Sequence, residues 1–184
     1  MTIEMQRRAL HIPVLHNDAN LINARQKLSA VNQLEKWADD GIICINMSST
    51  ARSEARAGNN SSRTRKADGQ IYTLTPPAEA SDPQYQQIEG YFPDGAKDEN
   101  QQNDIKIVFE AAKYAAILVT GDGASKTQPG GILGNRDKLK DMLKILSPDE
   151  AVSYVRSKIQ ERDNFNNRVA SEFGGELPAW TGRD

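Results

Sequence analysis

Four acidic side chains stand where the sequence predicts that strands end or helices begin. Asp18 follows the short apolar run 12–15, and Asp122 lies just past the apolar run 117–120. Asp104 stands near the start of a predicted helix, and Glu54 lies on the short helix predicted after a second apolar run. Carboxylates gathered at one point repel one another unless a cation lies between them, and hard divalent cations take oxygen ligands. The four acids therefore predict a metal-dependent hydrolase of phosphate esters.

Each of these acids also has an ordinary structural explanation when it is taken alone. Asp18 could cap the helix that begins near Asn20, and Asp104 could be a first-turn acid favoured by the helix dipole. Glu54 could be a solvated helix residue, and Asp122 could be a simple turn residue. Their conjunction favours function, because all four fall at corresponding points of one repeating pattern of elements.

Apolar runs alternate with helical periodicities along the chain. The predicted strands cover residues 12–15, 42–47, 117–120 and 145–146. The predicted helices cover residues 21–37, a short stretch through Glu54, 103–114, 137–143 and a last region from 147 to 173. The run 117–120 is continuously apolar, which suggests burial on both faces of a parallel sheet. This order predicts an α/β fold with a mainly parallel sheet, in which ligands bind beyond the carboxyl ends of the strands.

The last predicted helix carries a clear start signal. Ser147 can cap the helix, Pro148 suits its first turn, and Glu150 completes a Ser-x-x-Glu capping box. Val152, Val155 and Ile159 then supply a buried stripe at helical spacing. These residues predict a helix that packs one face against the sheet.

The segment 59–101 is polar and is predicted to be an irregular insertion or cap on the main domain. Within it, residues 70–75 are a candidate strand and residues 83–91 a candidate helix. Residues 1–175 are predicted to form a single domain, because 184 residues suit one domain better than two. Residues 176–184 are predicted to be a loose tail, in which Trp180 could dock.

Composition limits the other classes of function. Cys44 is the only cysteine, so no internal disulfide is possible, and its apolar neighbours predict a buried structural thiol. His11 and His16 are too few for a histidine-based zinc site. No apolar run approaches the roughly 20 residues that cross a bilayer, and no signal peptide is visible. The sequence therefore predicts a cytoplasmic protein that does not bind membranes.

The net charge of −2 gives the protein no general attraction to nucleic acid. Binding of this kind would depend on a local patch of positive charge. The candidate patch contains Arg52, Arg56, Arg63, Arg65 and Lys66.

These motifs together resemble the PIN domain, a nuclease fold found in bacterial toxin ribonucleases and in RNA-processing factors. The triplet Asp18-Ala19-Asn20 is similar to the Asp-Thr-Asn triplet that follows the first strand of that family, with Ala19 in place of Thr or Ser. Glu54 matches the family's second acid, and Asp104 matches the third, on the helix that leads to Leu118-Val119-Thr120-Gly121-Asp122. Ala124 stands where many members carry another Asp or Asn. The resemblance covers roughly residues 10 to 160 apart from the insertion.

The resemblance implies a three-layer α/β/α sandwich and a metal-dependent endoribonuclease that cuts single-stranded RNA. The implied ligands of one or two Mg²⁺ or Mn²⁺ ions are Asp18, Glu54, Asp104 and Asp122, which would also be the catalytic residues. Asn20 and Thr120 would orient carboxylates or the phosphate, and Arg63, Arg65 and Lys66 would contact RNA. A toxin role would require an antitoxin or another protein partner, and many family members form homodimers.

Two other functions remain open from the sequence. A non-catalytic PIN-like module that binds RNA or protein is supported by Ala19 and Ala124. A phosphotransferase or phosphatase with an aspartyl nucleophile would commonly need an Asp-x-Asp motif, which the triplet at Asp18 lacks. No glycine-rich phosphate loop is visible, so use of nucleoside triphosphates is not indicated.

Overall fold

The structure, a computed structural model, describes residues 7–22, 27–57, 60–69, 71–72, 79–92, 99–123 and 131–184 of the chain. Its strands are β1 (Leu15–Asn17), β2 (Ile45–Met47), β3 (Ile71–Tyr72), β4 (Ile117–Val119) and β5 (Lys144–Leu146). A single 3₁₀ turn, Ala19–Leu21, follows β1. The helices are α1 (Ser29–Asp39), α2 (Ser49–Ala57), α3 (Ser61–Gly69), α4 (Pro83–Glu89), α5 (Glu99–Lys113), α6 (Ile132–Leu139) and α7 (Pro148–Phe173).

The strands form one sheet in the order β3-β2-β1-β4-β5, and every neighbouring pair is parallel. Consecutive strand residues face opposite sides of a sheet, and here both sides are buried. Leu118 packs with apolar residues of α2, α4, α5 and α6, whereas Ile117 and Val119 pack with those of α1 and α7. The molecule is therefore an α/β/α sandwich with three layers, which confirms the predicted fold class.

The strand order decides which side chains meet at the carboxyl edge of the sheet. β1 lies between β2 and β4, and its last residue, Asn17, pairs with Val119 at the end of β4. The segments that follow these two residues therefore leave the sheet side by side. Asp18 and Thr120 are the first residues of those segments, so the fold places them next to each other.

Several helix boundaries differ from the predicted ones. α5 begins at Glu99 rather than near Asn103, so Asp104 lies in the second turn of the helix and not at its start. α6 begins at Ile132 rather than at Asp137, because the side chain of Asp122 accepts a hydrogen bond from the first amide of the helix. In the first helical region α1 begins only at Ser29, because Leu28 is still extended, while part of the predicted region, 23–26, lies outside the described residues.

The segment 59–101 is more regular than the sequence predicts. Residues 61–69 form α3, whose first amides at Ser62 and Arg63 donate to the side chain of Asn60. The candidate strand is present as β3, which joins the sheet as an edge strand beside β2, while its predicted residues 70 and 73–75 lie outside the described part of the chain. The candidate helix is present as α4, capped by Asp82. This segment therefore extends the sheet and its helical layer.

The prediction of a buried Cys44 is wrong, because the cysteine is exposed. Ile42, Ile43 and Ile45 are buried in the apolar core, but Cys44 lies just before β2 and points away from it. A continuous apolar run does not show which of its side chains turns outward before the strand begins.

The capping box at the start of α7 is confirmed. Ser147 Oγ accepts a hydrogen bond from the amide of Glu150, and the Glu150 carboxylate accepts one from the amide of Ser147. Val152, Val155 and Ile159 are buried as predicted. One uninterrupted helix of 26 residues follows.

Residues near the C-terminus contact α7, although the sequence predicts a loose tail there. The guanidinium of Arg162 lies 4.4 Å from the centre of the Trp180 ring and also hydrogen-bonds to Asp184 at 2.8 Å. The amide of Gly182 donates to Asp163 at 2.8 Å. Cation–π contact and charged hydrogen bonds of this kind depend on residues distant in sequence, which local patterns do not reveal. Among the described helices, none is both long enough and apolar enough to cross a membrane.

Candidate functional site

Asp18 continues the hydrogen-bond ladder of the sheet beyond the end of β1. Its backbone amide donates to the carbonyl oxygen of Val119 at 2.9 Å. This bond fixes the main chain of Asp18 against the end of β4, and the residue is only 3% exposed. A carboxylate buried this deeply at the edge of a sheet is costly unless its surroundings compensate for the lost water.

Thr120 and Asn20 supply that compensation. Thr120 Oγ1 lies 2.5 Å from Oδ2 of Asp18 and donates a hydrogen bond to it. Asn20 Nδ2 donates to the same oxygen at 2.7 Å and lies 3.3 Å from Thr120 Oγ1. The amide oxygen of Asn20 accepts a hydrogen bond from the backbone of Gly121 at 3.2 Å. Both residues to which the resemblance assigns an orienting role therefore contact the Asp18 carboxylate.

Asp122 is joined to the same network through Thr120. The backbone amide of Asp122 donates to Thr120 Oγ1 at 2.9 Å. At its other end, Oδ2 of Asp122 accepts the amide of Ile132 at 2.7 Å, at the start of α6. An acid at a helix N-terminus is stabilised by the free amides and by the helix dipole. Asp122 is thus held between the end of β4 and the start of α6.

Gly131 makes the close approach of Asp122 possible. A Cβ atom built on this glycine would lie 2.2 Å from Oδ2 of Asp122, which is far inside van der Waals contact. The neighbouring Gly123 has a φ of +81°, a conformation that favours glycine. The turn after β4 therefore needs glycine at two places, and neither requirement was predicted from the sequence. Ala124, which follows in the chain, lies outside the described residues.

The charge of Glu54 acts on the carboxylate of Asp18. The pKa of Asp18 is raised to about 6, chiefly because the carboxyl is buried; the negative charges of Glu54 and Asp122 also raise it, and the hydrogen bond from Thr120 lowers it. Glu54 and Asp122, which are far from Asp18 in sequence, are therefore within reach of its charge in the folded protein. Functional sites often hold acids whose pKa is displaced by burial and by like charge.

Asp104 lies on α5, and its link to this group runs through its neighbour in sequence. The preceding residue, Asn103, donates from Nδ2 to Oε1 of Glu54 at 2.9 Å. Asp104 is half-buried in the second turn of α5. The four predicted acids are thus distributed over the ends of β1 and β4, over α2 and over α5.

The predicted basic patch is only partly free to meet a ligand. Nη2 of Arg63 donates to the carbonyl of Ala19 at 2.8 Å, so that this arginine reaches the residue next to Asp18. The ammonium of Lys66 is bonded to Glu35 at 2.7 Å, and Arg65 is exposed on α3. Arg52 and Arg56 pair with Asp68 of α3 at 3.3 Å and 3.6 Å. Arg63 is therefore the member of the patch that the fold brings to the acids.

One buried charged residue close to this site was not predicted from the sequence. Glu110 is 2% exposed and lies in the middle of the apolar stretch 107–111 of α5. The available signal was a charged residue between buried apolar neighbours, but a glutamate on a helix is far more often solvated. Glu110 accepts hydrogen bonds from Thr50 of α2, the helix that also carries Glu54.

The chemistry of the donors fits a hard divalent cation. Asp18, Glu54 and Asp122 offer carboxylate oxygens, and a cation beside Asp18 would offset both the burial and the like charge that raise its pKa. All four predicted acids belong to the part of the chain that the structure describes, and within that part no group of three or more His, Cys, Asp or Glu side chains is arranged to hold a metal ion. The chemistry of the donors fits the cation, whereas the positions of the side chains do not enclose one.

Comparison with protein-family models and with curated proteins gives no match to this chain.

Proposed function

We propose that this protein is a metal-dependent endoribonuclease that hydrolyses phosphodiester bonds of single-stranded RNA. One observation carries the proposal: the Asp18 carboxylate is held by Thr120, and its burial, together with the charges of Glu54 and Asp122, raises its pKa. A structural acid at this position would be better placed beside a cationic side chain. An acid kept among other acids is typical of a site that binds a divalent cation.

Asp18, Glu54, Asp104 and Asp122 would hold one or two Mg²⁺ or Mn²⁺ ions. Such an ion, when bound, polarises the phosphate and lowers the pKa of a bound water. Thr120 and Asn20 fix the direction of the Asp18 oxygen that they contact. The amide of Ile132 fixes one oxygen of Asp122 in the same way. No side chain of the protein has to act as a nucleophile.

Arg63 supports a nucleic acid as the substrate. Its guanidinium lies beside Ala19, next to the acids, where it would meet a phosphate of a strand that enters the site. Arg65, exposed on the same helix, and Lys66 would extend this contact along the backbone. A single strand suits the site, since the catalytic ion must reach a splayed backbone. The same proposal includes a cytoplasmic location, an antitoxin or other protein partner, and a second copy of the chain in a homodimer.

Cleavage of single-stranded RNA with and without Mn²⁺ tests the proposal. The wild type should cut an internally labelled strand only when Mn²⁺ is present, and Asp104→Asn should abolish the cutting. A variant that cuts as fast as the wild type would mean that the activity belongs to a contaminant. RNA binding without cleavage would instead favour the non-catalytic module, and hydrolysis of a small phosphate ester alone would favour a phosphatase.

A further inference from the structure

Glu110 binds the first turn of α2 with both of its carboxylate oxygens. Oε1 accepts a hydrogen bond from the hydroxyl of Thr50 at 2.9 Å, and Oε2 accepts one from the backbone amide of Thr50 at 3.2 Å. The first amides of a helix have no partner within the helix, and an anion beside them is stabilised by the helix dipole. Ser48 already caps α2 by accepting from the amide of Ala51 at 3.2 Å. Glu110 therefore adds a second cap, and this one comes from another helix.

A second polar contact joins α2 and α5: Asn103 of α5 donates a hydrogen bond to Glu54 of α2. Thr50 and Glu54 are one turn apart on α2, so they lie on the same face of that helix. Asn103 and Glu110 are two turns apart on α5 and also share a face. Asn103 bonds to Glu54 and Glu110 bonds to Thr50, so α2 and α5 run in opposite directions where they pack.

These two contacts together determine where the Glu54 carboxylate lies. A helix that is held at one point can still rotate about that point or slide along its neighbour. A helix held at two points on one face can do neither without breaking a hydrogen bond. Glu110 is buried and its partner Thr50 is half-buried, whereas Asn103 and Glu54 are both half-buried, so the Glu110 contact is the more sheltered from water.

We propose that Glu110 is a positioning residue, which fixes α2 through Thr50 so that Glu54 is presented to Asp18. The effect of Glu110 on metal binding rests on the proposed function, in which Glu54 is a metal ligand. The effect of Glu110 on geometry, which is the placing of Glu54 beside Asn103, can be measured without any metal.

The geometric part is tested by the side-chain amide resonances of Asn103 in metal-free protein, recorded by two-dimensional NMR. Glu54→Gln provides the reference spectrum for an Asn103 that has lost its carboxylate partner. Glu110→Met removes both hydrogen bonds with a side chain of similar size, and it should move the Asn103 resonances toward that reference. Glu110→Gln can still accept from the Thr50 amide, so it should leave them close to their wild-type positions. Thr50→Val removes one of the two bonds without altering the core, and it should give a smaller shift in the same direction.

The functional part is tested by the affinity for Mn²⁺, measured by calorimetry on the same variants. Glu110→Met should weaken Mn²⁺ binding about 10-fold or more, as loss of a residue that orients a ligand does, and Glu110→Gln should restore most of the affinity. In the Glu54→Gln background, Glu110→Met should cause no further loss of affinity, because Glu110 acts through Glu54. Glu110→Met should lower the melting temperature both in the wild-type protein and in the Glu54→Gln variant.

Asp82→Asn is the matched control. Asp82 also caps a helix, α4, and also contacts α5, through Lys113 at 2.8 Å, but it touches none of the four acids. It should lower the melting temperature and leave both the Asn103 resonances and Mn²⁺ affinity unchanged. Unchanged Asn103 resonances in a folded Glu110→Met protein, or equal weakening of Mn²⁺ binding with and without Glu54, would overturn the positioning role. Shifted Asn103 resonances in a protein that binds no Mn²⁺ at all would support the positioning role and contradict the proposed function.

Discussion

The hydroxyl of Thr120 lies 2.5 Å from the carboxylate of Asp18, although 102 positions separate the two residues in the sequence. The same hydroxyl accepts the backbone amide of Asp122 at 2.9 Å. One oxygen atom therefore links the carboxylate of Asp18, which follows β1, to the backbone of Asp122, which follows β4. The parallel pairing of β1 with β4 makes this contact possible, because it brings the carboxyl ends of both strands to one place.

Replacing Thr120 by Val should remove this link while keeping the shape of the side chain. We expect RNA cleavage and Mn²⁺ affinity to fall about 10- to 100-fold, since the Asp18 oxygen loses a donor and the Asp122 amide loses an acceptor. Thr120→Ser keeps the hydroxyl and should stay near the wild-type rate. Equal rates for Thr120→Val and Thr120→Ser in the RNA cleavage assay would show that the hydroxyl has no role in the reaction.

Asp18→Asn should make the metal-free protein more stable at pH 7.5 and should abolish cleavage. The folded-state pKa of Asp18, about 6, lies above its ordinary value, so ionisation destabilises the fold as pH rises from about 4 through about 6. The substituted amide carries no charge and escapes this cost, which is on the order of 1 to 3 kcal/mol. Denaturant unfolding at pH 7.5 and at pH 4 measures the effect, and the gain should disappear at pH 4. A variant less stable than wild type at pH 7.5 would contradict the cost that burial and like charge impose on the ionised Asp18.

Stabilisation by Mn²⁺ should depend on pH through the same group. At pH 5 the Asp18 carboxyl is mostly protonated in the folded protein, and a proton competes with the cation. At pH 7.5 the carboxylate is ionised, so Mn²⁺ at equal concentration should raise the melting temperature more than it does at pH 5. Differential scanning calorimetry at the two pH values provides the comparison. Mg²⁺ should behave in the same way, and an equal shift at both pH values would place the bound cation away from Asp18.

Gly131→Ala should damage the site although it adds only one methyl group. The added Cβ would lie 2.2 Å from Oδ2 of Asp122, so the carboxylate would have to leave the amide of Ile132. We expect at least a 10-fold loss of cleavage in the RNA assay, comparable to the loss of a positioning contact. Gly90→Ala is the control, because its Cβ would meet only carbonyl oxygens at 3.5 Å, an ordinary contact, and it should cleave RNA at the wild-type rate.

Local signals in the sequence were sufficient for much of the fold. The capping box from Ser147 to Glu150 involves residues three positions apart, so the sequence shows both partners at once. The continuous apolar run before Asp122 marks a strand buried on both faces, and β4 lies there. Such signals depend on neighbours along the chain, and for this reason they predict elements better than they predict contacts.

Contacts between elements that are distant in the sequence could not be predicted from local sequence signals. The order of the strands, with β1 between β2 and β4, follows from packing and not from any local pattern. Glu110 looks like a solvated helix residue until α2 is placed against it, and Cys44 looks buried until the start of β2 is known. The start of α5 at Glu99 was missed because its first turn is polar and carries no apolar periodicity.

The candidate site contains residues that local sequence signals reveal and residues that only three-dimensional contacts reveal. Asp18, Glu54 and Asp122 could be selected from their places in the pattern of elements, and the resemblance assigned a role to Thr120 and Asn20. The closeness of Gly131 to Asp122 and the second cap at Thr50 arise from three-dimensional approach alone. Sequence reasoning therefore found candidate ligands, but it could not find the residues that hold two of them in place.

The central claim is that one cation lies among the carboxylates at the ends of β1 and β4. Crystals grown with Mn²⁺ and measured at the manganese absorption edge test it most directly, because anomalous scattering locates the ion independently of any assay. The account predicts an anomalous peak in contact with carboxylate oxygens of Asp18 and of at least one of Glu54, Asp104 and Asp122. Well-ordered side chains at this position with no peak among them, at a Mn²⁺ concentration that saturates binding in solution, would contradict it.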